Sequence, residues 1–211
     1  MKSERLKTIC SLLTKDDSII DIGCDHAYVA IEMARSGAKK VLASDIHPNA
    51  LAIAQENIKQ AGLESKIQTI LSDGLKKIDT TSYNTIVIAG MGYSTIKHIL
   101  SSKEKLQPIQ KIILQSNNDL PLLRTLMMQE KYFLKKEIIL YEKGHYYSVM
   151  LYEKKEQQLT EVEIEFGLYS KEHNDYYQDT KKHYQSLLTK VPEEKQKEIK
   201  YKLELLNSYL N

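Results

Sequence analysis

The chain has 211 residues, 42% of them hydrophobic, and a net charge of +2. That length holds one full domain plus an appendage, and the apolar share supports a sizeable core, which excludes a disordered chain. No apolar run approaches the length of a membrane span and no signal-peptide stretch opens the chain. Cys10 and Cys24 make no disulfide framework, so the expected setting is the cytoplasm with both thiols reduced. The charge permits a nucleic-acid partner without demanding one. Arg5, Arg35 and Arg124 are the only arginines, so bidentate contacts to phosphate or guanine have few sources.

Leu6, Ile9, Cys10, Leu12 and Leu13 recur at helical spacing and predict a helix over residues 3–14. A β-branched strand follows at 18–22, then a helix over 25–36 with Gly37 as its stop signal. Residues 40–44 read as the second strand. Pro48 opens a helix that continues over 49–61, with Leu51, Ala54 and Ile58 on one face and Gly62 as its end. Strands are predicted at 67–71, 83–89 and 111–115, with helices at 94–100 and 120–130. Residues 133–140 and 146–152 pair as a hairpin across Glu142-Lys143-Gly144-His145. This alternation predicts a doubly wound α/β sheet whose last strand runs antiparallel.

From Lys154 the character changes. Tyrosines and leucines from Tyr169 to Val191 keep to one helical face, and Ile199, Leu203, Leu206 and Leu210 mark a second helix after Pro192. The chain therefore divides into a ligand-binding domain, 1–153, and a helical hairpin, 154–211. The spacing of the tail's tyrosines favours an internal seam between its helices over a base-stacking surface.

Four polar motifs fall at strand ends, where ligands bind in such sheets. Asp21-Ile22-Gly23-Cys24-Asp25-His26 follows the first strand; Gly23 lets the main chain approach a ligand closely. Asp45-Ile46 ends the second strand, 22 residues after Gly23, a distance at which a carboxylate takes ribose hydroxyls. Asp73-Gly74 offers an acid and a free amide for an adenine edge, and Ala89-Gly90-Met91-Gly92 leaves room for a second substrate. Asp25 stands where dinucleotide enzymes carry their second glycine. A carboxylate there repels a diphosphate and suits a ligand carrying ammonium and sulfonium groups. Taken singly, Gly23 is equally a tight turn and Asp45 equally a helix cap.

The ordered set Asp21-Ile22-Gly23, Asp45, Asp73-Gly74 and the fourth-strand loop resembles the class I S-adenosylmethionine-dependent methyltransferases. More narrowly, Asp21-Ile22-Gly23-Cys24-Asp25-His26-Ala27-Tyr28, Ile88-Ala89-Gly90-Met91-Gly92 and Leu114-Gln115-Ser116-Asn117 resemble the bacterial tRNA adenine-22 N1-methyltransferases. That family also carries a helical, coiled-coil-like C-terminal extension. Two departures stand out: Tyr93 follows Gly-Met-Gly in place of a further glycine, and Asn118-Asp119 follow Asn117.

The resemblance implies a Rossmann-like fold and S-adenosyl-L-methionine as cofactor, with no metal. It implies methyl transfer to N1 of adenine 22 in the D-arm region of tRNA, a cytoplasmic tRNA modification carried out by a single chain. The cofactor-binding residues are then Asp21, Gly23, Cys24, His26, Asp45, Ile46, Asp73, Gly74 and Ala89. Asp25, Gly90, Met91 and Asn117 face the target base. Asp25 either stabilises the charge developing on adenine or meets the cofactor's amino-acid end, and His26 either orients the site or packs on the first helix. Asn117 and Asn118 either bond a base edge or cap the helix that follows. Arg5, Lys97 and the tail lysines are candidate phosphate contacts. Other readings of the same motifs are a class I methyltransferase acting on another RNA position, a protein or a small molecule, and a non-catalytic RNA-binding module.

Overall fold

In the computed structural model, which describes residues 3–210, the β-branched runs pair into one seven-stranded sheet. The strands are β1 (Ser18–Ile22), β2 (Lys40–Asp45), β3 (Ile67–Leu71), β4 (Thr85–Met91), β5 (Lys111–Ser116), β6 (Tyr132–Glu142) and β7 (His145–Lys154), in the order β3-β2-β1-β4-β5-β7-β6. β1 to β5 are parallel, and β7 runs antiparallel to both its neighbours. The predicted Rossmann-like sheet with an antiparallel last strand is therefore the observed one. β6 and β7 meet across Lys143 and Gly144, both at positive φ (51° and 87°), the two-residue turn whose twist matches a hairpin.

Helices cover both faces, and successive strand residues serve opposite layers. Ile20, Ile22, Ile86, Ile88, Ile112 and Leu114 point to one side, against α4 (Tyr93–Leu100) and α5 (Leu120–Gln129). Ile19, Val87, Ile113, Val149 and Leu151 point to the other, against α1 (Glu4–Ser11) and α2 (Tyr28–Arg35). Val41, Ala43 and Ile67 bury α3 (Pro48–Gln60) through Leu51, Ala54 and Ile58. Alternation within a continuous apolar run is thus what gives the sheet two cores.

α2 starts three residues later than the sequence predicts. Gly23, Asp25 and Ala27 all sit in the left-handed region (φ 70°, 48° and 57°), so residues 23–27 coil before the helix can begin. The compensation lies in β2. Gly23 and Cys24 donate backbone N–H bonds to the Ser44 carbonyl (2.8 and 3.0 Å), and the Asp25 N–H donates to Asp45 Oδ2 (3.2 Å).

The tail comprises α6 (Glu161–Phe166), a 3-10 turn (Lys171–His173), α7 (Asn174–Leu188) and α8 (Glu193–Leu210). α7 and α8 form the expected helical pair. α6 is an addition: it is six residues long, too short for a periodic signal, and Thr160 and Glu163 start it with a capping box. Tyr177, Phe166 and Leu206 form the tail's core, and Tyr177 and Tyr209 meet edge to face at 5.3 Å. The tyrosines thus make the internal seam their spacing predicts.

Arg124 fixes the tail to the sheet. It is fully buried on α5, donates from Nη2 to Glu137 Oε1 on β6 (2.6 Å) and from Nη1 to the Ile164 and Glu165 carbonyls at the end of α6 (2.8 and 3.1 Å). Glu137 in turn accepts the Leu168 N–H (3.1 Å) and the Ser148 hydroxyl. Arg124, one of the few arginines, is therefore spent inside the protein and not on RNA. Arg124→Met strands a buried carboxylate and should cost about 3–5 kcal/mol, measured as a lowered urea midpoint. Glu137→Gln should cost less, because its amide oxygen still accepts.

Candidate functional site

β1 and β4 are neighbours, with Ile22 opposite Ile88 on one side and Ser44 on the other, so the loops after β1, β2 and β4 open at one edge. A cavity of about 450 Å³ lies there, and most of the predicted residues line it: Gly23, Asp25, Asp45, Ile46, Asp73, Gly74, Ala89, Gly90 and Met91. Ser72, next to Asp73 at its strand end, lines it too, as do His47, Thr95, His98 and Ile99, which sequence reasoning missed. Thr95, His98 and Ile99 carry no motif and arrive only because α4 folds back beside Gly74.

Each acid is held differently. Asp45 is buried, and its oxygens accept the His47 N–H (2.9 Å) and the Asp25 N–H (3.2 Å), so it caps the next turn and borders the cavity at once. Asp73 sits at the rim and pairs with Lys76 (2.5 Å) and His98 (3.5 Å). The Lys76 hydrogen bond, with Lys76 and His98 charges behind it, holds the Asp73 carboxyl below its ordinary range. Asp25 is largely exposed, 3.7 Å from His26, and His26 stacks on Tyr28 with ring centroids 5.3 Å apart. A side chain at Gly74 would be strained by its φ of 55° and would press on Ile99, 3.0 Å from an added Cβ.

A second cavity of about 280 Å³ adjoins the first and shares Gly23, Asp25 and Ala89 with it. It gathers Asp21, Cys24 and His26 from the predicted set, together with Arg5 and Tyr28. Asp21 is buried and its Oδ2 has no hydrogen-bond partner. Burial, with the Asp45 charge adding to it and the Ala30 N–H opposing it, pushes the Asp21 carboxyl up to about 7. Burial likewise raises both thiols, Cys10 to about 12, which leaves them protonated and unreactive at neutral pH.

Asn117 lies outside both cavities yet acts on the first. Its amide donates to the Gly90 carbonyl (2.8 Å), while Gln115 Oε1 accepts the Gly90 N–H (3.0 Å). Asn118 Oδ1 accepts the Tyr93 N–H (2.8 Å) and so caps α4, not the helix that follows it in sequence. Met91 reaches back over Gly23, where any side chain at Gly23 would collide with its terminal methyl. Gln115 is fully buried; its place within Gln-x-Asn was the only signal of this role.

The donor set fits S-adenosylmethionine. A buried acid at the end of β2 suits ribose hydroxyls, and an unpartnered buried carboxylate at Asp21 asks for a cation. Among the described residues no cluster of ligating side chains could hold a metal ion. Fold and site together define a methyltransferase of the Rossmann-like kind, and a family model described as a methyltransferase domain matches residues 2–150. The tRNA (adenine(22)-N(1))-methyltransferase of Bacillus subtilis is 34% identical over 153 residues, 72% of this chain and 64% of that relative's length. The structure of Mycoplasma capricolum TrmK in complex with S-adenosyl-homocysteine is 31% identical, with a TM-score of 0.87 over 100% of this chain and 98% of that one. A Streptococcus pneumoniae structure in complex with S-adenosyl-L-methionine aligns over 100% of both chains, at 28% identity and a TM-score of 0.90. This chain belongs to the tRNA (adenine(22)-N(1))-methyltransferase family.

The raised Asp21 carboxyl predicts two opposite pH responses. The folded protein holds the Asp21 proton more tightly than the unfolded chain, so Asp21's stabilising contribution is complete below about pH 4 and fades as pH rises through about 7. A bound cation prefers ionised Asp21, so cofactor affinity should strengthen over the upper part of that window. Asp21→Asn should raise the Tm at pH 8 and flatten the pH dependence of S-adenosyl-homocysteine binding, measured by calorimetry from pH 6 to 8.5.

Proposed function

We propose that this protein transfers a methyl group from S-adenosylmethionine to N1 of adenine 22 in tRNA. The observation that carries the reading is the convergence of Asp21, Asp45, the Gly90–Gly92 loop and the exposed Asp25 on one pair of joined cavities. S-adenosylmethionine supplies an electrophilic methyl group. Asp45 holds the ribose end, and Asp73 and Gly74 border the adenine end. Met91 and the Gly90 backbone, clamped from both sides by Gln115 and Asn117, form the wall against which the target base rests.

Adenine N1 already presents a lone pair, so no residue need remove a proton to create the nucleophile. The protein's task is alignment of that lone pair, and a clamped backbone loop provides it without reorganisation. Methylation puts positive charge on the ring. Asp25, at the open edge of the cavity, stands where it can stabilise that charge or take a proton from the exocyclic amine.

Base N1 is hidden inside paired or stacked RNA, so the adenine must leave its stack, and the surrounding tRNA has to supply the binding energy. We assign that grip to the tail, residues 154–211, whose docking through Arg124 sets it beside the β5 end of the sheet. Its exposed lysines, Lys182 and Lys197 among them, are the phosphate contacts, together with Lys97 on α4. The enzyme acts as a single chain in the cytoplasm, where tRNA is modified. No described helix is long and apolar enough to cross a membrane.

The test is transfer of labelled methyl from S-adenosylmethionine to unmodified tRNA, followed by nucleoside mapping. The expected product is one 1-methyladenosine at position 22 and none in tRNA carrying guanosine there; label at another position overturns the reading. Asn117→Ala frees the Gly90 carbonyl and should lower kcat by about 10–100-fold, in line with the cost of misplacing a reacting group. The KM for S-adenosylmethionine should change little.

A further inference from the structure

A third cavity, of about 280 Å³, lies between the end of β5, the start of β7 and the tail. Asn117 forms part of its wall, and the amide of the same residue holds the Gly90 carbonyl (2.8 Å). One side chain therefore joins this cavity to the loop that faces the target base. Methyl transfer itself makes no use of it.

Its walls are aromatic. Tyr146 on β7 and Tyr176 on α7 stand edge to face with centroids 5.2 Å apart, and Phe166 and Tyr184 meet in the same way at 6.3 Å. Phe166 is buried in the seam of the tail, whereas Tyr146, Tyr176 and Tyr184 are only half-buried. Half-exposed rings around a cleft are surfaces on which a flat base stacks.

Charge decides which part of an RNA fits. Among the described residues that line the cavity, Asp119 and Glu165 carry charge and none is a cation. The first turn of α5 borders it, but Pro121 has no N–H to give and the Asp119 carboxylate stands at the helix start, so a phosphate is repelled there. A neutral base with donors on its edge is the occupant that fits. Glu165 is already paired with Lys202 (2.8 Å). Asp119 is exposed and makes no cap hydrogen bond to α5. An ionised carboxylate only accepts, through two oxygens side by side, and its complement is an edge with two adjacent donors. Guanine presents one, N1–H beside the N2 amine. Adenine and cytosine put a ring acceptor beside their amine, and uracil flanks its N3–H with carbonyls.

We propose that this cavity is a second base seat, which takes an unpaired guanine of the same RNA, stacked on Tyr146 and read by Asp119, while the target adenine lies against the Gly90 loop. The assignment rests on the tRNA reading above and deepens it with a sequence-reading contact apart from the reacting base. Asn117 borders one seat and supports the other, so a guanine held in the second sets which adenine reaches the first. Tyr176 and Tyr184 bring the tail into that contact.

The test is kethoxal probing of unmodified tRNA bound to the full chain with S-adenosyl-homocysteine. Kethoxal bonds to N1 and N2 of guanines whose pairing edge is free, the same two atoms that Asp119 holds. One guanine that reacts in free tRNA should be protected by the wild type and react again in the complex with Asp119→Asn. Tyr146→Leu removes the ring and should release the same guanine. Tyr146→Phe, which loses only the bond to Asp179 Oδ2 (2.8 Å), should hold it. Asp119→Asn should raise the KM for tRNA by about 10–100-fold, the discrimination a bidentate base contact supplies. Changing that guanine to adenine should do the same, and the two losses should not add, because both remove one contact.

The assignment is overturned if no guanine depends on Asp119 for its protection, if Asp119→Asn exposes guanines along the whole RNA alike, or if it leaves the KM for tRNA unchanged. Protection of an adenine or cytosine from dimethyl sulfate in place of a guanine, lost in Asp119→Asn, overturns it as well. In each case formation of 1-methyladenosine by the wild type leaves the tRNA reading standing. A wild type that binds S-adenosyl-homocysteine and methylates no tRNA removes that reading and this assignment together.

Discussion

β1 and β4 lie side by side, and every functional feature of the molecule depends on that adjacency. From β1 the sheet grows outward through β2 and β3, and from β4 through β5, so the connecting helices leave the β1/β4 seam on opposite faces. A crevice forms where the order reverses, because the chain leaves the carboxyl end of β1 towards one face of the sheet and that of β4 towards the other. Parallel pairing then puts the ends of β1, β2 and β4 level, which brings Gly23, Asp45 and Gly90 to the same edge. The cavities are consequences of topology before they are consequences of side chains.

Side chains decide what the crevice can hold. Backbone amides after β1 are spent on β2, through Ser44 and Asp45, so this turn offers little to a phosphate. The polar capacity lies in carboxylates, which selects a cationic ligand over an anionic one. Opposite them, the Gly90 peptide is clamped on both its N–H and its carbonyl by side chains from the end of β5. A loop of two glycines and a methionine would otherwise be free to move; here its freedom has been removed by Gln115 and Asn117, both brought in by β4–β5 pairing. Tyr93, where the family carries glycine, opens α4, and Asn118 caps it. The two departures from the family pattern therefore meet in one hydrogen bond.

The tail shows a different use of charge. Arg124 and Glu137 are both fully buried, an arrangement that stabilises little compared with apolar packing but is costly to break. What it fixes is position: the guanidinium holds the two carbonyls that end α6, and Glu137 holds the backbone just beyond them. The Glu137 carboxylate lies against Gly167, where a side chain would collide with it. A tail placed by one buried ion pair keeps a fixed position on the sheet.

The sequence by itself determined the strands, their carboxyl-end acids, the doubly wound sheet and the helical tail. Strand burial on both faces and ligand binding at strand ends are written in local patterns such as Ile19-Ile20-Asp21-Ile22-Gly23. It also carried enough of the Asp-His-Ala-Tyr and Ala-Gly-Met-Gly stretches to point to one family. It did not carry the coil at residues 23–27, because the left-handed Asp25 and its neighbours Gly23 and Cys24 are tied to β2 through Ser44 and Asp45, and not by local preference. Nor did it carry the burial of Arg124, the clamp on Gly90, or the inward turn of Arg5. Each joins residues 13 to 110 positions apart, counted along the chain. Only packing brings such residues within hydrogen-bonding distance, so only the tertiary structure could decide which arginine borders a cavity and which holds the fold together.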